Sequence, residues 1–429
     1  MYDYVIIGGG IAGVTAAETI RARDHEGSIA LVSGEFLPLY SRVMLPSYVR
    51  GALNREQVFL RSIADYKEKG ITLFLGHEAV GINLERREVH TNTEKVFSYK
   101  TLLISVGGTP ARWRVEGGDH PLAYRLQTIE DADRLRETLR QSSSPEGWSS
   151  PRARPDARLD SPRQALVVGC GFIGLEFIES YIAYDVRPLI FMPEDYAFAR
   201  FVGPEGGRLL EEQWQRRGAE IARRTTIEAL RSSEDGVVAL TTEGQGYHGI
   251  LAGVGIGIER NISVFTGIGL DRGGGAPTQA GIVTNEFLAT NNPGVFAAGD
   301  VAEYYDVIFQ KHRLVGNWTN AYLQGSIAGE NMARFLRGEH NDYRAFRKVS
   351  SYSITHMGMH LAFIGECERN ATRPVEDSFD GVLVEEQYVP EERSYQQLFF
   401  DGKRLVGASV INHPKDIPAL MSRIEKEHE

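Results

Sequence analysis

The chain has 429 residues, 42% of them apolar and 24% charged, with a formal net charge of −10. That length exceeds one core and points to about two to four domains. The acidic balance excludes a general nucleic-acid binder, which carries a basic face, and the two cysteines, Cys170 and Cys367, exclude a disulfide framework or a CxxC pair.

The first residues run directly into a strand and a glycine turn, without a charged leader or cleavage site. No apolar run reaches the roughly 18 residues of a membrane span. A cytoplasmic chain without a membrane span is expected.

Tyr4-Val5-Ile6-Ile7 predicts a strand. Gly8-Gly9-Gly10-Ile11-Ala12-Gly13 follows, then a helix-forming stretch from Val14 to Arg23, then a second strand, Ile29 to Val32. Strand, glycine turn, helix and strand make one βαβ unit. In Gly8-x-Gly10-x-x-Gly13 the first glycine permits a tight turn. The second lets backbone N–H groups approach a pyrophosphate, and the third lets helix and strand pack closely. The helix start offers unpaired N–H groups and the positive end of its dipole. An acid about 20 residues further on accepts from ribose hydroxyls in such units. Glu35 is the candidate, two residues beyond the usual position, which Ser33 occupies.

Leu102-Leu103-Ile104-Ser105-Val106-Gly107-Gly108 predicts another strand running into small residues, and Ile129 to Leu139 predicts a charged helix. From Gln141 to Gln164 the chain carries Ser-Ser-Ser-Pro and three further prolines without apolar period, as expected of a mobile loop or linker.

The opening pattern then recurs. Ala165 to Val168 is followed by Gly169-Cys170-Gly171-Phe172-Ile173-Gly174, a helical stretch from Leu175 to about Ala183, and a strand at Leu189 to Phe191. Here the ribose position falls on Met192, which cannot accept a hydroxyl's hydrogen bond; Glu194 could take its place. No arginine or lysine lies between Met192 and Ala199 to meet a 2′-phosphate.

Ile250 to Ile258 closes the second unit. Gly294-Val295-Phe296-Ala297-Ala298-Gly299-Asp300 predicts a buried strand ending in a carboxylate placed for a sugar-alcohol hydroxyl, with the following helix pointing at phosphate. After about Gly329 the composition changes. Phe363-Ile364, Val382 to Val384, Gln397 to Phe400 and Leu405 to Ile411 predict short strands, with a hairpin turn at Phe400-Asp401-Gly402-Lys403. His356 and His360 lack a local carboxylate to complete a metal site, so packing is expected of them, as of Tyr304 and Tyr305.

These pieces, in this order, resemble the pyridine nucleotide-disulfide oxidoreductase superfamily. Tyr40 to Ser47 and Gly316 to Ala321 resemble its branch of NADH-dependent rubredoxin or ferredoxin reductases and nitrite reductase flavin domains. The resemblance implies an α/β fold: two Rossmann-like dinucleotide-binding domains, for FAD and NAD, plus a smaller α+β C-terminal domain. The divisions expected are 1–112 with 258–328 for FAD, 113–257 for NAD with an inserted loop at 141–164, and 329–429 for an interface domain often used by relatives to form homodimers.

The resemblance further implies FAD along Gly8, Gly10, Ile11, Ala12 and Gly13, with Glu35 at the adenosine ribose, Ala79 at the adenine and Asp300 on the ribityl chain. Arg42, Pro46 and Trp318 would surround the flavin, and Val106 and Gly107 would also bind cofactor. Gly169, Gly171, Phe172, Ile173 and Gly174 would hold NADH, with Glu176 near the carboxamide and Gly255 allowing the nucleotide to approach. Disulfide reductases of the superfamily carry a flavin-side cysteine where this chain has Met44 and Leu45. Thiol chemistry at the flavin is therefore not expected, no side chain is assigned as catalytic, and no metal ligand set is found. The implied activity is electron transfer from NADH through FAD to a rubredoxin- or ferredoxin-like carrier or a small acceptor. The alternative is an FAD-holding subunit that uses NAD weakly and docks to a partner redox protein.

Overall fold

The computed structural model describes residues 1–143, 163–260, 262–274, 279–368 and 382–428. The core of the Gln141–Gln164 stretch lies outside the described residues. The charged helix is longer than its periodicity suggests and runs Ile129–Ser143.

The first sheet is built on Tyr2–Ile7, whose last four residues are fully buried, as both faces of a parallel strand require. It pairs in parallel with Ile29–Val32 on one side and Val96–Ile104 on the other, and Val295–Ala297 adds to the far edge of Val96–Ile104. The register aligns Ile7 with Val32 and with Ile104, and Ile104 with Ala297. Four strand ends thus share one edge, which brings Gly8, Ser33, Ser105 and Ala298 together from across the sequence.

The second sheet repeats the arrangement. Its parallel order is Glu220–Ala222, Arg187–Phe191, Gln164–Val168, Ala252–Val254 and Ala123–Tyr124. Val168 aligns with Phe191 and Val254, so Gly169, Met192 and Gly255 follow the strands at one edge. Thr109–Pro110 and Ile258–Glu259 pair antiparallel where the chain crosses between the two units.

The division expected at 328/329 falls inside a helix. A single helix, Trp318–Leu336, runs through it and packs on the Ile11–Arg23 helix. The reason is steric: Gly325 lies against Ala12 and Gly329 against Ala16, where a Cβ would meet a backbone carbonyl. The Gly-x-x-x-Gly spacing brings the helix axes close enough that the helix belongs with the first sheet. Phe346 also packs there, its N–H donating to the Glu286 carbonyl at 2.7 Å.

The C-terminal sheet is antiparallel, ordered Ser351–His356, Met359–Gly365, Arg404–Ile411, Ser394–Asp401 and Val382–Val389, with Ile417–Glu427 laying Leu420 and Ile424 against it. The expected hairpin is present: Asp401 pairs with Arg404, and Gly402 has φ +59°. This sheet docks on the second unit through rings. Phe172 touches Tyr352 at 4.2 Å between centroids and meets Phe198, Phe201 and Phe363 at 5.3 Å each. Such pairs each contribute about 0.5–1.5 kcal/mol beyond the area they bury.

Candidate functional site

The first turn has the stereochemistry of a phosphate cradle. Gly8 has φ +112°, and a Cβ on it would overlap the Ser105 carbonyl; a Cβ on Gly13 would overlap the Gly8 carbonyl. At Gly10 nothing lies within 4 Å of the missing Cβ. Two glycines are thus required by the protein's own packing, and the middle one faces open space. The helix that follows starts at Ile11 without a side-chain cap, so its first N–H groups remain available to an anion.

A cleft leads from Gly9, Gly10 and Ile11 past Ser33 and Glu35 to Tyr40, Arg42 and Trp318. Arg42 donates one Nη to a Glu35 oxygen and the other to the Tyr40 hydroxyl and the Gln127 carbonyl, both at 2.9 Å. Tyr40 in turn donates to the second Glu35 oxygen at 2.6 Å. Glu35 is therefore held by two partners and turns its remaining lone pairs to the cleft. Burial opposes the charge on Arg42, and the Glu35 carboxylate beside it more than restores it. Trp318 is 36% exposed and stacks flat on Tyr322 at 5.7 Å, an i,i+4 pair on one helix face. Pro46 is buried in the first turn of Leu45–Val49, and Ala79 packs under the first sheet rather than along the cleft.

Asp300 follows the strand end at Ala297. Its turn is fixed by Gln324, which accepts from the Gly299 N–H at 2.7 Å, and by Arg260, whose Nε donates to the Asp300 carbonyl at 2.6 Å. Burial pushes the Asp300 carboxyl up, against the pull of Arg260 and Arg42. Val106 and Gly107 lie beside Gly8, Val106 37% exposed and Gly107 with φ +67°. The helix after Asp300 begins only at Trp318, and Asn317 accepts its Asn320 N–H at 2.8 Å. One N–H of that helix start is thus met by the protein's own side chain.

The second turn repeats the first. Gly169 has φ +93°, Gly171 faces open space, and a Cβ on Gly174 would overlap the Gly169 carbonyl. The Phe172–Ala183 helix likewise has no side-chain cap. At Gly255 the missing Cβ would lie 2.8 Å from the Gly174 nitrogen, so glycine there serves the packing of strand end against turn. Ile173 adjoins that same contact. Glu176, one turn into the helix, is pushed up to about 8 by burial, with Glu179 reinforcing and Arg50 opposing the shift.

Met192 is fully buried, and its backbone continues the pairing with the next strand. Glu194 is half-buried and has no side-chain partner among the described residues. The next strand delivers Arg223 and Arg224 to this edge, pairing them with Glu211 and Asp195. These arginines follow a different strand from the one that sequence spacing searches, so only the register reveals them.

No group of three or more His, Cys, Asp or Glu that could hold a metal occurs among the described residues. Cys170 packs in the second turn and Cys367 in the C-terminal core, each thiol pushed up to about 12 by burial. His356 and His360 sit on opposite arms of a hairpin, His356 buried against Trp214 and His360 bonded to Thr355. No helix among the described residues is long and apolar enough to cross a membrane.

The family model for pyridine nucleotide-disulphide oxidoreductases matches residues 2–325. The chain belongs to this family. As a member it binds FAD and a nicotinamide dinucleotide, and both glycine turns fit a dinucleotide pyrophosphate. The chain is 27% identical over 336 residues to apoptosis-inducing factor 3 of Mus musculus, covering 77% of this chain and 50% of that one. It is 27% identical over 334 residues to monodehydroascorbate reductase 4, peroxisomal, of Arabidopsis thaliana, covering 73% and 62%. It thus spans one half to under two thirds of these relatives. Among solved structures, an NAD-dependent persulfide reductase from A. fulgidus superposes with a TM-score of 0.84 at 23% identity, covering 99% of this chain and 77% of that one. Putidaredoxin reductase in its covalent complex with putidaredoxin gives 0.82 at 22%, covering 99% and 93%. At these identities the structural likeness establishes the fold.

Proposed function

We propose that this chain is an NADH-dependent flavoprotein reductase that delivers electrons to a small redox protein. One observation carries the reading: two uncapped helix starts, each behind a glycine turn with an open middle position, lie on units joined by the short Thr109–Pro110 and Ile258–Glu259 pair.

Gly8 to Gly13 hold the FAD pyrophosphate on backbone N–H groups, and Glu35, set by Arg42 and Tyr40, meets the adenosine ribose. Asp300 holds the ribityl chain, and Val106, Gly107 and Trp318 border the ring. Gly169 to Gly174 hold the NADH pyrophosphate, and Glu194 takes the ribose diol in place of the buried Met192. Glu176, protonated at neutral pH, donates to the carboxamide and orients the reduced ring. When bound, FAD supplies the redox chemistry, accepting a hydride and releasing its electrons one at a time. No side-chain acid or base is needed for the hydride step, and the Arg42–Pro46 segment contains no cysteine. The protein-carrier assignment is supported by the structural likeness to putidaredoxin reductase in complex with its partner.

The second reading, a flavoprotein that docks to a redox partner and uses NADH poorly, is favoured by Phe172, whose ring is engaged with the C-terminal sheet beside the second turn. One experiment separates the two. NADH is mixed anaerobically with the yellow protein and flavin absorbance is followed. Fast bleaching is expected; no bleaching at millimolar NADH overturns the reductase reading. Reduced protein then transfers electrons to added ferredoxin or rubredoxin faster than to oxygen or a quinone.

A further inference from the structure

At the edge where NADH is read to bind, two strands end in charge of both signs. Phe191 aligns with Ala222 in the parallel register. Beyond it the pairing continues: the Met192 N–H donates to the Ala222 carbonyl at 3.1 Å, the Thr225 N–H to the Met192 carbonyl at 3.0 Å, and the Arg224 N–H to the Glu194 carbonyl at 3.3 Å. Arg224 is a non-glycine residue at φ +52°, which turns the chain back at this point. Its guanidinium Nε bonds the Asp195 carboxylate. Arg223 is similarly bonded to Glu211, which is 4% exposed. Both arginines at this edge are therefore matched by carboxylates, while the Glu194 side chain is uncommitted among the described residues.

In dinucleotide units of this kind a carboxylate at the second strand's end accepts from the ribose 2′-hydroxyl, and an arginine there accommodates a 2′-phosphate. This edge holds both elements. Asp195 stands beside the arginine. Its ion pair with Arg224 is solvent-exposed, with side chains 61% and 78% accessible, and such pairs are held together only weakly. The effect is therefore one of local charge. A 2′-phosphate brought to Arg224 meets the Asp195 carboxylate at the same place, so attraction and repulsion offset. A neutral diol at Glu194 meets no such penalty.

We propose that Asp195 is a specificity-determining residue: by pairing with Arg224 it denies the 2′-phosphate a cation and makes the site choose NADH. This rests on the reading that the second turn binds the nicotinamide nucleotide.

The test uses the FAD-loaded full chain. Anaerobic flavin reduction is measured with NADH and NADPH, and binding of 5′-AMP and 2′,5′-ADP is measured by calorimetry. Asp195→Asn is expected to raise the ratio of NADPH to NADH efficiency about threefold and to tighten 2′,5′-ADP relative to 5′-AMP by a similar factor, the scale of one exposed charge pair. Asp195→Glu, which keeps the pair, should keep the wild-type ratio. Adding Arg224→Ala to Asp195→Asn should abolish the gain. An unchanged ratio with unchanged 2′,5′-ADP binding in Asp195→Asn, or a gain that survives Arg224→Ala, overturns the assignment. A wild-type flavin that neither nucleotide reduces overturns the donor reading, and this assignment with it.

Discussion

The indole N–H of Trp214 donates to Nε2 of His356 at 2.8 Å, and both side chains are fully buried. With Nε2 accepting, the ring proton of the neutral imidazole lies on Nδ1, which faces the Glu179 carboxylate at 3.6 Å. Glu179 also pairs with Arg50 at 3.2 Å. One chain of contacts thus ties the Leu45–Val49 helix end, the second unit and the C-terminal sheet together. His356→Ala strands the indole N–H and opens a cavity, and should cost about 1–3 kcal/mol. The measurement is the thermal unfolding midpoint, with His356→Gln, which can still accept, losing less. Equal midpoints for wild type and His356→Ala would remove this contact from the account of domain docking.

Glu176 governs the expected pH dependence. Its carboxyl is raised from 4.5 to about 8, so it stays protonated at neutral pH and can donate a hydrogen bond. The rate of flavin reduction by NADH should fall as pH rises through about 8, and Glu176→Gln, a permanent donor, should flatten that profile. The same shift acts on stability. Because the folded value lies above the unfolded one, the contribution is complete below 4.5 and is lost as pH rises through about 8. A stopped-flow profile with its inflection unchanged in Glu176→Gln would assign the titration to another group.

Asp300→Ala should lower flavin retention. Asp300 stands on a turn already fixed by Gln324 and Arg260 through the backbone, so removing its carboxyl should leave the backbone in place. A loss of about tenfold or more in FAD affinity is expected for a charged hydrogen bond. The ratio of flavin to protein absorbance after gel filtration reads it directly; full occupancy would take Asp300 out of the site.

Met192 and Glu194 should behave in opposite ways. Met192 is 0% exposed, so Met192→Glu buries a carboxylate and should destabilise the fold by about 3–5 kcal/mol rather than improve nucleotide binding. Glu194→Gln should leave stability unchanged and weaken NADH binding several-fold. Paired melting curves and NADH titrations check both, and tighter NADH binding by a well-folded Met192→Glu would reverse the roles given to the two side chains.

Both glycine turns, with the strands and helices on either side, were legible in the sequence because each is a local stereochemical demand. Positive φ at Gly8 and Gly169 and a close helix approach at Gly13 and Gly174 are written into a few adjacent residues. The C-terminal hairpin is legible for the same reason. The helix through 329 is not, because its partner is the Ile11–Arg23 helix, about 300 residues away in the chain. Its small-residue spacing gains meaning only once that partner is known.

By itself the sequence determined two dinucleotide units, an Arg42–Pro46 segment without cysteine and the candidate residues along each turn. Only the tertiary structure decided that Glu35 is held by Arg42 and Tyr40, that Met192 faces inward, and that Arg224 stands beside Asp195. The physical reason is that strand register and domain docking set these neighbours. Both join residues that share no local periodicity, so their meeting leaves no mark in either stretch of chain.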